Sequence, residues 1–74
     1  MLSHSGAMKI EIERETDGRW LAEISDMPGA LAYGASRDEA TDKVKALALR
    51  VLADQLEHGE QVNETVAELF TVAA

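Results

Sequence analysis

The chain has 74 residues, enough for one small domain. It carries 7 Lys and Arg against 14 Asp and Glu, a net charge of −7, and no cysteine. That excludes disulfide or thiolate-metal stabilisation and disfavours contact with phosphate backbones; it favours a basic partner, or acts only as a solubilising surface. A domain of this size is marginally stable alone, so self-association or a bound partner is expected.

Residues 1–7 (MLSHSGA) lack the basic start and apolar centre of a signal peptide and read as a disordered lead-in, with the domain over 8–74. No apolar run approaches the roughly 20 residues of a membrane span, and the absence of cysteine suits a reducing cytoplasm. Met8 to Glu15 alternates strictly, with Ile10 and Ile12 on one side and Glu11, Glu13 and Glu15 on the other, which predicts a half-buried strand. Asp17-Gly18 is a short-hairpin signal, both residues tolerating positive φ. Arg19 to Ile24 alternates again, with Trp20, Ala22 and Ile24 sharing a face.

Asp26-Met27-Pro28-Gly29 predicts a turn with Pro28 and Gly29 as its central residues. Ala30 to Ala35 reads as a third strand, with Leu31 and Tyr33 on one face and Gly34 marking its end or a bulge. Ser36-Arg37-Asp38-Glu39 is a capping box: the Ser36 hydroxyl accepts from the Glu39 amide, and the Glu39 carboxylate reaches back to the Ser36 amide. The helix it opens is expected to reach about His58 and stop at Gly59. Over Glu60 to Ala74 two patterns compete. Val62, Val66, Leu69 and Phe70 fit a short helix, while Val66 to Val72 alternates and fits a closing strand that covers a sheet edge; the strand is favoured. The order is then β-β-β-α-β, an α+β fold with one mixed sheet packed against one long helix.

The helix holds more apolar surface than one sheet can cover. A stripe centred on Leu47, with Ala40, Val44, Ala48, Val51 and Leu52, is the core face. Ala46, Leu49, Ala53 and Leu56 form a second strip at three-four spacing, while Glu39, Lys43, Arg50 and Asp54 mark a narrow polar face. The second strip is either covered by the tail, exposed, or a contact surface for a like subunit or partner.

Catalytic patterns are absent from the sequence. Glu11, Glu13, Glu15 and Glu23 could hold Mg²⁺ for phosphodiester hydrolysis, but a solvated outer sheet face gives the same pattern. His4 and His58 have no spaced ligand partner. Ser3, Ser5, Ser25 and Ser36 have no nucleophile elbow or paired histidine, and there is no Gly-rich phosphate loop. Trp20 and Tyr33 lack interleaved basic residues, so they read as core or interface anchors and not as base-stacking platforms. The expectation is a binding protein, not an enzyme, with no cofactor, metal, direct nucleic acid or membrane partner.

The segment MKIEIERETDGRWLAEISDMPGALAYGASRDEATDKVKALALRVL resembles the HicB-like antitoxin family of type II toxin-antitoxin systems. The shared features are an opening strand, an aromatic-containing second strand (Trp20 to Ile24), the Pro28-Gly29 turn, Gly34 before the Ser36 cap, and Glu39-Ala40 opening the helix. The match covers about Met8 to Leu56, and the tail is compatible with the closing strand. The resemblance implies a partial ribonuclease-H-like fold, a cytoplasmic bacterial setting, and neutralisation of a small basic HicA-type toxin that cleaves mRNA. It also implies homo-oligomers, as dimer or tetramer, which would use Ala46, Leu49, Ala53 and Leu56. The C-terminal DNA-binding segment of many such antitoxins has no counterpart in the sequence, so autorepression is not expected. The alternative is a solitary oligomeric HicB-like module with a structural or small-ligand role and no toxin.

Overall fold

The computed structural model describes residues 8–60 and 70–73. Three strands, β1 (Ile10–Arg14), β2 (Trp20–Ile24) and β3 (Leu31–Gly34), lead into one helix, α1 (Arg37–Glu57). The sheet runs in the order β1-β2-β3 and both pairs are antiparallel. The described residues thus form a three-stranded antiparallel sheet followed by one helix, an α+β arrangement. The expected closing strand falls mostly on residues outside the described ones. Phe70 to Ala73, which are described, form no ladder and are exposed, so the described sheet is antiparallel and not mixed. The lead-in, residues 1–7, also lies outside the described residues.

Local chemistry accounts for each connection. In the first hairpin the Glu15 N–H donates to the Arg19 carbonyl at 2.7 Å, and the Gly18 N–H donates to the Glu15 carbonyl at 3.0 Å. The loop is therefore three residues long, Thr16-Asp17-Gly18. Of the Asp17-Gly18 pair, Gly18 is the one that takes positive φ, +93°. A turn closed by a left-handed glycine suits the right-handed twist of the flanking strands. Asp17 steadies it by accepting from the Arg19 N–H at 3.0 Å. In the second connection the Ala30 N–H donates to the Met27 carbonyl at 2.9 Å with Gly29 at φ +90°, so Pro28 and Gly29 are the central residues as their types require.

At the start of α1 the Ser36 hydroxyl accepts from the Glu39 N–H at 3.1 Å. The reciprocal bond reaches one residue further back than expected: the Glu39 carboxylate accepts from the Ala35 N–H, not from that of Ser36. The helix ends at Glu57 with Gly59 at φ +70°.

Gly34 ends β3 for a steric reason. A Cβ there would stand 2.5 Å from the Ala40 backbone nitrogen and 2.9 Å from its Cα. The first turn of α1 therefore lies directly on the strand, and α1 packs mainly over β3 and β2 and hardly over β1. The buried helix positions are Ala40, Val44, Ala48 and Leu52, at a spacing of four. Leu47 and Val51 are half-buried, so the core stripe is centred between Val44 and Ala48 and not on Leu47. From the sheet, Ala22, Ile24 and Ala30 complete the core, with Met8, Ile10, Ile12, Trp20 and Ala32 packed at its margin. Among the described residues no helix is long and apolar enough to cross a membrane.

Candidate interaction surfaces

The core is rich in small side chains: among the described residues four of its buried members are alanines, and Val44 is the largest that is fully buried. Ile24 and Leu52 are its bulkier members, and several other bulky apolar side chains stand exposed, on two surfaces.

The first surface is the back of α1. Ala46 and Ala53 are exposed, Leu49 is 62% exposed and Leu56 53%. The four fall on one side because their spacing of three, four and three follows the helical period. Burying Ala40, Val44, Ala48 and Leu52 against the sheet turns this strip away from it. Beside the strip, where α1 leaves β1 uncovered, Met8, Ile10, Ala48, Leu49 and Leu52 line an apolar groove of about 310 Å³, with Lys45 at its edge.

The second surface is the outward face of the sheet. Leu31 and Tyr33 share a face, as the alternation requires, and it is this outer one: Leu31 is 42% exposed and Tyr33 39%. Ala32 and Gly34 point to the helix instead. The register sets Glu11 opposite Glu23 and Glu23 opposite Leu31; one step along, Glu13 faces Leu21 and Leu21 faces Tyr33. Glu11, Glu13, Leu21 and Glu23 enclose a shallow depression of about 260 Å³. Arg19 is the cation stacked on this face. Its guanidinium lies 4.3 Å from the Tyr33 ring centroid and its Nε lies 2.8 Å from the Asp17 carboxylate. The Asp17 carboxyl sits below its ordinary value, chiefly because the Arg19 backbone N–H donates to it.

Among the described residues no group of three His, Asp or Glu side chains converges to hold an ion. His58, the residue that caps the C-terminus of α1, sits with Nδ1 2.8 Å from the Asp54 carbonyl and 3.3 Å from its carboxylate, which is a local cap and not a ligand set. Ser36 is occupied as the helix cap. Trp20 lies half-buried at the core margin, with the Arg14 guanidinium 5.8 Å from its ring centroid; with Arg19 on Tyr33, each ring has a basic neighbour, which corrects the expectation that none accompanies them. The alternation left open which side of β3 faces the helix, so it did not disclose that Leu21, Leu31 and Tyr33 form a surface. The register between β2 and β3 was the signal that would have found it.

No family model, no curated protein and no solved structure matches this chain.

Proposed function

We propose that this chain is an inhibitory protein-binding domain of the HicB-like antitoxin type, which binds a small basic HicA-type toxin and so blocks its cleavage of mRNA. The carrying observation is the distribution of its apolar residues: bulky side chains on two outer surfaces of a strongly acidic chain whose interior is filled largely by alanine. An acidic chain with exposed apolar centres is suited to a cationic protein, because charge speeds encounter and apolar burial supplies affinity. The strand-strand-strand-helix order, the Pro28-Gly29 turn and the Ser36 cap support the same reading. We read the fold as a partial ribonuclease-H-like one that keeps no catalytic machinery.

The strip of Ala46, Leu49, Ala53 and Leu56 serves self-association in this reading. It equally suits a solitary oligomeric module with no toxin, so the experiment must separate the two. Mixing the chain with a purified HicA-type toxin and an mRNA substrate is expected to suppress cleavage as a stable complex forms. A homo-oligomer that leaves cleavage unchanged overturns the antitoxin reading in favour of the solitary module. Leu49→Glu with Leu56→Glu is expected to keep the fold and lower the native mass measured by light scattering. An unchanged mass removes the strip from self-association.

A further inference from the structure

The outward face of the sheet carries a feature that folding does not explain. Glu11 and Glu23 are direct cross-strand partners, and Glu13 lies one step away on the same face. Like charges placed opposite one another destabilise a sheet. Among the described residues none of the three carboxylates has a cation within ion-pair distance; the pairs formed are Arg19 with Asp17, Lys43 with Glu39 and His58 with Asp54. Arg19, a cation on this face, is held by Asp17 and stacked on Tyr33, and Lys9, which the alternation puts on the same side, forms no ion pair with the three acids. Beside the acids stand Leu21, half-buried, and Leu31 and Tyr33, both more than a third exposed.

We propose that this face, Leu21, Leu31 and Tyr33 bordered by Glu11, Glu13 and Glu23, is the docking site for a cationic protein surface. Arginine or lysine side chains of the partner enter the depression among the three carboxylates and lay their aliphatic stems on Leu21. The proposal rests on the antitoxin reading for the partner's identity and adds where that partner sits. Charge decides the occupant. A second copy set face to face would bring six carboxylates together. A nucleic acid would bring phosphates to them, and the carboxylates do not converge on a metal ion. A surface with basic residues around an apolar centre satisfies both halves of the patch, since paired charge gives specificity and the apolar centre gives area.

The test is a titration of the full ¹⁵N-labelled chain, followed by amide shifts, with a peptide of alternating arginine and leucine as probe. The same peptide with glutamate for arginine is the control. Shifts are expected at residues 11, 13, 21, 23, 31 and 33 with the basic peptide alone. Glu11→Lys combined with Glu23→Lys preserves the mutual repulsion of the pair while reversing the sign offered to a partner; the fold is expected to persist, as the same spectra report, and the affinity to fall at least tenfold. Shifts centred on α1, shifts at every exposed acid alike, or an undiminished affinity in the double variant overturn the proposal. A second arm repeats the comparison with a HicA-type toxin. Toxin that binds the wild-type chain and the double variant equally overturns the docking face and leaves the antitoxin reading standing. Toxin that ignores the wild-type chain, while the peptide maps to the sheet, overturns the antitoxin reading and leaves the docking face standing.

Discussion

The two faces of the sheet are built from different residues, and the contrast separates what folds the chain from what it offers to others. On the helix side Ala22, Ala32 and Gly34 meet Ala40, Val44 and Ala48, with Ile24 buried beside them and Ile10, Ile12 and Trp20 at the margin. On the outer side stand Leu21, Leu31 and Tyr33 among three glutamates. Small residues bring the helix close to the sheet, and close approach makes the fit unforgiving, because protein interiors are packed too densely to absorb an added group. The outer face buries little in the isolated chain. Its bulky side chains do little for folding, so they are free to be spent on a partner.

The largest expected effect tests the inner face. Gly34→Ala places a Cβ against the Ala40 backbone, which cannot move aside as a flexible side chain would. The cost is expected to be about 3 kcal/mol, at the upper end for overpacked sites, read as a lowered urea midpoint. The matching change on the outer face, Leu31→Ala, is expected to cost less than about 1 kcal/mol because the side chain is already 42% exposed. Equal costs for the two would break the contrast between the faces.

This asymmetry was only half legible in the sequence. Alternation in Met8 to Glu15 and in Arg19 to Ile24 located β1 and β2, and Gly18, Pro28, Gly29, Ser36 and Gly59 punctuated the chain where the structure has turns and helix ends. Each of these signals is local: a residue type with a backbone preference of its own. Period two, however, says which residues of β3 share a face and not which face is inside. That choice came from pairing, where Ala22 opposes Ala32 and Trp20 opposes Gly34, and from the close docking of α1. Gly34 was readable as the strand's end, but its reason lies six residues away at Ala40. The helix stripe was identified residue by residue, while its centre shifted because α1 leans toward β3. Of the candidate surfaces, the strip on α1 was visible as helical periodicity. The outer sheet face was not, since it joins residues from three strands.

A middle-sized effect probes the join between the two regions, where β3 passes into α1. Ser36→Ala removes the acceptor for the Glu39 N–H and is expected to cost about 1 kcal/mol, seen as a drop in melting temperature. Acid should weaken the same join. The Glu39 carboxyl is held below its ordinary value, first by the donated Ala35 N–H and then by Lys43. A carboxyl depressed in the folded state stabilises above its unfolded value, and that stabilisation is lost as pH falls through the folded value. Asp17, depressed by the Arg19 N–H, adds to the loss over the same acidic range. Glu39→Gln keeps an acceptor for Ala35 without a titrating group, so its stability is expected to fall less between neutral pH and pH ~2 than that of the wild type. A parallel fall in both proteins, followed by circular dichroism, would remove Glu39 from the acid response.

The smallest expected effect is the most informative about the outer face. Glu11→Lys sets a cation opposite Glu23 and replaces a repulsive cross-strand pair with an attractive one. Exposed pairs are weak and screened, so a gain of about 0.5 kcal/mol is expected, largest at low ionic strength. The sign matters more than the size. A face shaped only by folding has no reason to keep two glutamates opposed when a single change relieves them. A face shaped by a cationic partner does, because the relieved pair presents less negative charge. Glu11→Lys is therefore expected to raise the melting temperature slightly while weakening the basic peptide, the two moving in opposite directions. If stability and binding rise together, the opposed glutamates are incidental, and the outer face returns to being the solvated side of a small sheet.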